Sequence, residues 1–93
     1  MKVVQSPLFV KRVRKFHKTQ KEELDIQIKN ILKNPELGHE KKGDLKGIYI
    51  LKFKVKDKQF LLSYRVKHDI LELIMIGEHE NYYRNLKGYL KTK

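Results

Sequence analysis

The segment Ile70–Ile76 constrains the fold most strongly, because every residue in it except Glu72 is apolar. A run this short and this apolar is typical of a central strand that is covered on both faces. We therefore predict that it lies inside a sheet, and we interpret the segments before it as partner strands.

Two alternating segments come before this run and predict the rest of a three-strand meander. Over Gly47–Lys56 and over Gln59–Val66 the apolar pattern has a period of two, as expected for strands. Short turns at Lys56–Lys58 and His68–Asp69 connect the three strands. The β-branched segment Lys2–Gln5 predicts one further strand, so we expect a mainly antiparallel four-stranded sheet.

Helical signals occupy the first third of the chain. Ser6–Pro7 reads as an N-cap followed by proline at the first helical position, and it predicts an amphipathic helix to about Lys18. Thr19–Glu22 matches a capping box and predicts a second helix. That helix should end at Asn34–Pro35, because the residue before a proline disfavours the helical conformation. The polar segment Glu36–Lys46 is interpreted as a loop.

A third helix is predicted to begin near Asn81, and its core stripe would consist of Tyr82, Leu86, Tyr89 and Leu90. The resulting order β-α-α-β-β-β-α describes one α+β domain over residues 1–93, with a helical hairpin packed on one sheet face. The final helix would lie near the edge of the opposite face. That opposite face would carry Lys52, Lys54 and Arg65.

The charge of the chain indicates an anionic partner. Lys and Arg number 22 against 11 Asp and Glu, which gives a net charge of +11 spread along the sequence. A folded basic domain attracts polyanions through counterion release and long-range steering. RNA, DNA, an anionic membrane surface and an acidic protein all fit this charge. Nucleic acid or an acidic protein fits best with the size of the domain.

Several classes of site and location are disfavoured by the sequence. The chain has no cysteine, so neither a disulfide nor a thiolate metal site can form. The histidines are not at metal-ligand spacings, and we expect no metal and no cofactor. No apolar run reaches the roughly 18–20 residues of a spanning helix, and the charges of Lys11–Lys15 argue against a signal peptide. We expect a cytoplasmic protein without a membrane partner.

Three basic residues are candidates for binding a phosphate. Lys52 and Lys54 are two apart on a predicted strand, so both project from one face and could bracket a phosphate. Arg65 faces the same way if strand pairing is regular, and its planar guanidinium suits a phosphate. A solvated strand face is the alternative interpretation for the lysines, and an ion pair with Glu72 is the alternative for Arg65.

The turn after the central strand supplies a group that could move a proton. His79 follows Gly77, where the apolar strand stops, and an unperturbed imidazole pKa of about 6.5 suits proton transfer near neutrality. Tyr83 lies four residues later and off the core stripe, where a phenol could stack on a base or orient a phosphate. An ordinary turn histidine and a packing tyrosine are the alternative interpretations.

Four pieces of the sequence occur in an order that is familiar from one family. They are Asn34–Pro35, Asp44–Gly47, Leu62–Val66 and Ile76–Lys87. With the element order, the size and the charge, they resemble the RelE/ParE superfamily of bacterial and archaeal type II toxins, over nearly the whole chain. The resemblance implies a RelE-like fold and a toxin that an acidic antitoxin from the same operon neutralises.

The resemblance also assigns candidate roles by position. Lys52 and Lys54 match the lysine pair on the first strand of the meander. His79 matches the position that holds an arginine or a histidine in the RNase members, and Tyr83 matches the aromatic residue four positions later.

One position departs from the family pattern, and the roles of two loop residues stay open. Many members have an arginine three residues before the strand tyrosine, where this chain has Leu61, and Arg65 is the candidate substitute. His39 and Glu40 lie in the loop where some members place another catalytic group.

The RelE-like branch is favoured, which implies a ribosome-dependent, metal-independent mRNA endonuclease. In that chemistry the ribose 2′-hydroxyl attacks the adjacent phosphate, and the partners are the ribosome and mRNA. The catalytic set would be Lys52, Lys54, Arg65, His79 and Tyr83. Two alternatives stay open: a ParE-like toxin that inhibits DNA gyrase without catalysis, and an inactive member that only binds RNA or its antitoxin.

Overall fold

The computed structural model describes residues 1–91 and confirms the predicted α+β class. In chain order the described elements are β1 (Lys2–Gln5), α1 (Pro7–Val13), α2 (Lys18–Lys33), β2 (His39–Glu40), β3 (Tyr49–Val55), β4 (Lys58–Lys67), β5 (Ile70–Glu78) and α3 (Tyr82–Lys91). A short 3-10 turn occupies Gly43–Leu45, between β2 and β3.

The sheet has the strand order β1-β5-β4-β3-β2. Strand β5 runs parallel to β1 and antiparallel to β4, which confirms the interior position predicted for Ile70–Ile76. The described sheet has five strands rather than the predicted four, because His39 and Glu40 pair with Ile50 and Tyr49 at the edge of β3. A two-residue strand without apolar alternation leaves no periodic signal, so the segment resembles a loop in the sequence.

A bulge in β5 lets this strand supply both faces of the sheet with apolar side chains. Ser63 pairs with Met75 while the next residue, Tyr64, pairs with Leu73, so Ile74 is the extra residue. An extra residue shifts the alternation by one position. The first face therefore takes Leu71, Leu73 and Ile76, and the second takes Ile74 and Met75.

The first face is covered by the helical hairpin, as predicted. Phe9 of α1 and Leu24 and Ile31 of α2 are buried against it. Helix α1 ends at Val13 rather than near Lys18, and the backbone N–H of His17 donates to Oε1 of Gln20 at 2.8 Å. The start of α2 is therefore fixed by His17 and Gln20, and the capping box predicted at Thr19–Glu22 is wrong.

The second face is covered in part by α3, which packs onto the face itself, whereas the prediction placed this helix near its edge. Tyr82 and Leu86 of α3 are fully buried in a second core with Leu61 and Met75. The remaining members of that core are Leu45, Ile48, Ile50 and Ile74. Because β4 and β5 turn apolar side chains to both faces, the second face also needs a cover, and the apolar stripe of α3 provides it.

The edge of β5 beyond β1 is covered by α1. Strand β1 ends at Gln5, opposite Leu73, so the rest of β5 has no strand neighbour on that side. Ser6 bridges the junction, because its Oγ donates to the Ile74 carbonyl at 2.6 Å and accepts from the N–H of Phe9 at 3.0 Å. The predicted N-cap role of Ser6 is thereby confirmed, and α1 is fixed alongside the last residues of β5.

Candidate functional site

The exposed part of the second face lies where β3, β4 and β5 run side by side. Leu61 of β4 pairs with Lys52 on one side and with Gly77 on the other. Because neighbouring strands are about 4.8 Å apart, the backbones of Lys52 and Gly77 are separated by about 10 Å. Lys52 and Lys54 project from this face and are exposed, and the chain reaches His79 two residues after Gly77.

Three side chains meet around the ring of Tyr83. The imidazole of His79 approaches it edge-on, with ring centroids 6.4 Å apart and an interplanar angle of 84°. The ammonium of Lys41 lies over the ring, 5.1 Å from its centroid. The ring of Tyr82 meets Tyr83 at 81° and 5.7 Å. The half-buried Tyr83 is therefore the centre of a cluster that holds an imidazole and a cation.

The cluster is placed by the turn between β5 and α3. Asn81 adopts a φ of +59°, a conformation that asparagine tolerates better than most residues. The backbone N–H of Tyr82 donates to the His79 carbonyl at 3.2 Å. The turn therefore brings His79 back toward the first turn of α3, where Tyr83 follows Tyr82.

Tyr82 anchors this turn to the sheet. Its hydroxyl donates to the Met75 carbonyl at 2.8 Å and lies 2.9 Å from Oγ of Ser63. Burial raises the pKa of Tyr82 well above its ordinary value, and the hydrogen bonds to Ser63 oppose that shift only in part. Tyr82 is thus a neutral, buried anchor, and the adjacent Tyr83 is left at the surface.

The structure separates Arg65 from the other predicted site residues. Arg65 lies four residues beyond Leu61 on β4, which is about 13 Å along the strand. Its Nη2 and Nε donate to Oε1 of Glu72 at 2.6 Å and 3.1 Å. The ion pair with Glu72, considered as the alternative, is therefore the observed arrangement. Leu61 is fully buried, and Arg65 does not reach its position.

The two loop residues that the sequence left open lie on opposite faces of the sheet. His39 pairs with Ile50, which belongs to the second core, while Glu40 pairs with Tyr49, which packs on the first. His39, Lys41 and Lys52 line one shallow groove of about 300 Å³. His39 is thus on the side of the Tyr83 cluster, and Glu40 is not.

Two basic residues near the site were missed by the sequence analysis. Lys41 follows β2, and its ammonium lies over the ring of Tyr83. The pairing of β2 with β3 orients Lys41 toward this ring, and that pairing has no signal in the sequence. Arg12 of α1 brings Nη1 to 2.9 Å from the point where a Cβ on Gly77 would stand. Gly77 at the end of β5 was the one available signal for Arg12, since a glycine within a strand often marks a place where another group approaches the backbone closely.

Residues 1–91 contain neither a cluster of metal-binding side chains nor a membrane-spanning helix. No group of three or more His, Asp or Glu side chains converges there in an arrangement that could hold a metal ion. No helix in that part of the chain is long and apolar enough to cross a membrane.

The chain is similar to one family of bacterial proteins. The family model described as "ParE-like toxin of type II bacterial toxin-antitoxin system" matches residues 3–87. A comparison with curated protein sequences finds no match.

Solved structures of toxins share the fold. A mutant of the E. coli toxin RelE in the free state superposes with a TM-score of 0.76 at 18% identity, over 99% of this chain and 97% of that one. The intact E. coli RelBE toxin-antitoxin complex gives 0.69 at 22% identity, over 85% and 96%. The YoeB/ParE toxin from Agrobacterium tumefaciens gives 0.61 at 21% identity, over 85% and 99%.

Proposed function

The chain belongs to the family of ParE-like toxins of type II bacterial toxin-antitoxin systems, and we propose that it acts as a ribosome-dependent, metal-independent mRNA endonuclease. The observation that carries this proposal is the cluster at Tyr83. An imidazole and an ammonium meet its ring, on the sheet face from which Lys52 and Lys54 project. These groups suit a site that holds a phosphodiester and transfers a proton beside it.

The proposed reaction needs three kinds of group. The ribose 2′-hydroxyl attacks the adjacent phosphorus, a new oxygen–phosphorus bond forms, and the bond to the 5′-oxygen breaks to leave a cyclic phosphate. One group must take the proton of the 2′-hydroxyl, another must give a proton to the leaving oxygen, and cations must stabilise the charge on the phosphoryl oxygens.

The side chains of this face fit these roles. His79 is the proton-transfer group, as base or as acid. Tyr83 lies edge-on to the imidazole, where it orients His79 or stacks on a base. Lys52, Lys54 and Lys41 supply the positive charge. We leave Arg65 outside the catalytic set, because its guanidinium is engaged by Glu72 on another part of the sheet.

The partners follow from the proposed activity and from the charge. The ribosome would present mRNA to the exposed face, and we therefore propose a cytoplasmic location. E. coli RelE is found in complex with its antitoxin RelB, and we propose a cognate acidic antitoxin for this chain as well. A net charge of +11 makes such a partner electrostatically favourable.

The test is primer extension on a translated mRNA in a purified system. We expect wild-type protein to make discrete cuts within ribosome-bound codons, and His79→Asn to slow cleavage by about 10²–10⁴-fold. His68→Asn is the matched control, because His68 lies in the β4–β5 turn with a φ of +54° that asparagine tolerates. Uncut message with wild-type protein, or cleavage at the wild-type rate in His79→Asn, would overturn the proposal.

A second candidate is a ParE-like inhibitor of DNA gyrase that catalyses nothing. It is favoured by Leu61, which is fully buried where many RNase members carry an arginine. Inhibition of gyrase supercoiling by the purified protein, unchanged in His79→Asn, would support this candidate. If translation, message and supercoiling were all unaffected, the inactive, binding-only alternative would remain.

A further inference from the structure

A basic groove lies beside the proposed active site. It has a volume of about 530 Å³ and runs between α1, the α1–α2 corner, the start of β4 and the end of β5. The last residues of β5 that line it, Gly77 and Glu78, come directly before His79. The charged residues that line it are four cations, one carboxylate and one histidine, namely Lys11, Arg12, Lys15, Lys58, Glu78 and His17.

Arg12 is the most constrained cation of this groove. Its guanidinium fills the space that any side chain at position 77 would take, with Nη1 at 2.9 Å from the place of a Gly77 Cβ. Tyr82 borders the same space, since its Cδ2 lies 3.7 Å from that point. Arg12 also opposes the upward shift of the Tyr82 pKa by its positive charge. The missing side chain at Gly77 thus gives Arg12 its position over the end of β5.

Arg12 is half-buried and forms no ion pair within residues 1–91. A partly desolvated guanidinium without an anion loses hydration, and no ion pair offsets that loss. Arg65, by contrast, is bound to Glu72 through two nitrogens. Five N–H donors in a planar fork are suited to a phosphate. Arg12 therefore has the geometry and the unused donors of an anion-binding residue.

We propose that this groove is a second phosphate-binding site, with Arg12 as its central donor, and that it takes the backbone of a single-stranded RNA adjacent to the cleavage site. The inference deepens the proposed function and rests on it for the choice of RNA. Lys11 on α1 and Lys15 just beyond its end, together with Lys58, supply the surrounding positive charge. A strand bound here continues past Glu78 toward His79 and Tyr83.

The groove favours RNA over an acidic peptide because two aromatic rings line it beside the cations. Phe16 is half-buried at the groove and packs on Phe60, with ring centroids 5.4 Å apart. An aromatic surface beside a row of cations suits nucleic acid, because bases stack on rings while phosphates pair with the cations. A peptide of acidic residues alone, such as poly-glutamate, would pair with the cations and leave the rings uncovered.

The test is the affinity for a short, labelled RNA whose riboses are all 2′-O-methylated, measured by fluorescence anisotropy over a range of salt concentrations. We expect Arg12→Gln to weaken binding about tenfold and to lower the salt slope by about 0.7, as for one lost phosphate contact on a single strand. Arg14→Gln removes the same charge from an exposed position near the end of α1 that does not line the groove. It should change both quantities much less.

Gly77→Ala provides a variant with unchanged net charge. Its Cβ would displace the Arg12 guanidinium, so we expect a loss of affinity similar to that of Arg12→Gln. Circular dichroism and the thermal midpoint Tm would confirm that each variant is folded. Equal losses in Arg12→Gln and Arg14→Gln would overturn the inference, and so would Gly77→Ala with wild-type affinity.

The outcome is separable from that of the nuclease test. The methylated ribose lacks the attacking hydroxyl, so binding is measured without cleavage. A protein that binds through Arg12 but cuts no message would refute the proposed function and support the groove. A wild-type protein that ignores this RNA but binds a poly-glutamate peptide through Arg12 would overturn the assignment to RNA.

Discussion

At the scale of single residues, the two adjacent tyrosines show what sequence periodicity predicts and what it misses. Tyr82 falls on the apolar stripe of α3 and is buried, while Tyr83 falls off it and meets His79. Helical spacing was sufficient to distinguish them. The contacts of Lys41 and Arg12 could not be predicted in the same way, because each depends on a neighbour from a distant segment.

Stability at alkaline pH should depend on Tyr82. Burial raises its pKa above the ordinary value of about 10, so the folded state keeps a proton that the unfolded chain loses. Its contribution is fully present below about pH 10 and is lost above that, by up to about 1.4 kcal/mol per pH unit. We expect Tyr82→Phe to be less stable at neutral pH and to show a flatter decline of the unfolding free energy above pH 10.

Urea unfolding at several pH values between neutrality and about pH 11 measures this decline. Burial also raises the pKa of Tyr64, so part of the decline should persist in Tyr82→Phe. Parallel curves for Tyr82→Phe and wild type would contradict the assignment.

At the scale of elements, the segment between α2 and β3 aims Lys41 at the site. Tyr64 fixes this segment, because its hydroxyl donates to the Pro35 carbonyl and accepts from the Gly38 N–H, both at 2.8 Å. The sequence predicted the end of α2 and the start of the meander, since both have local signals. The segment between them was interpreted as a loop. The residue that holds it, Tyr64, is 26 residues away from Gly38, so no local pattern indicates the contact.

Gly38→Ala should destabilise the protein. A Cβ there would lie 2.9 Å from the Tyr64 hydroxyl and 3.0 Å from the Ile50 carbonyl, so the backbone would have to move. We expect a loss of about 1–3 kcal/mol in unfolding free energy, as for other overpacked sites, together with weaker cleavage because Lys41 is displaced.

The same substitution at Gly88 is the matched control. Gly88 lies within α3, and its Cβ would meet open space. Gly88→Ala should raise the unfolding free energy by up to about 1 kcal/mol through its helix propensity. Urea unfolding and the cleavage assay measure both variants. If Gly38→Ala were as stable as Gly88→Ala, the hydrogen bonds of Tyr64 would not be what holds the segment.

At the scale of the whole molecule, charge and core lie in separate parts of the fold. The apolar run of β5 and the two alternating strands predicted the cores, and the excess of lysine predicted an anionic partner. The positions of the individual charged side chains could be determined only from the structure. Arg65 pairs with Glu72, whereas Arg12 lines the basic groove. Arg12 lies on α1, a helix that the sequence predicted from its N-cap and its apolar residues.

Salt should stabilise the folded protein. A net charge of +11 on 93 residues repels itself in the compact state. Raising NaCl from about 0.1 M to about 1 M shortens the Debye length from about 10 Å to about 3 Å. We therefore expect the thermal midpoint Tm, measured by circular dichroism, to rise with NaCl.

A double variant tests the cause of this rise. Lys29 and Lys33 are exposed one turn apart on α2, where like charges destabilise a helix. Lys29→Gln with Lys33→Gln should raise Tm at low salt and reduce its dependence on NaCl. A wild-type Tm that falls as NaCl increases would mean that attractive ion pairs outweigh the repulsion.

The position of β5 in the sheet has a consequence for biosynthesis. Translation proceeds from the N-terminus, so the ribosome makes the strand that joins β1 to β4 after both of them. Until Ile70–Glu78 has emerged, the nascent chain exposes apolar strand edges and has no complete core, a state that is prone to aggregate or to bind chaperones. Closure of the sheet depends on contacts far apart in sequence, which form slowly. We expect the toxin to acquire its activity only after β5 has been synthesised.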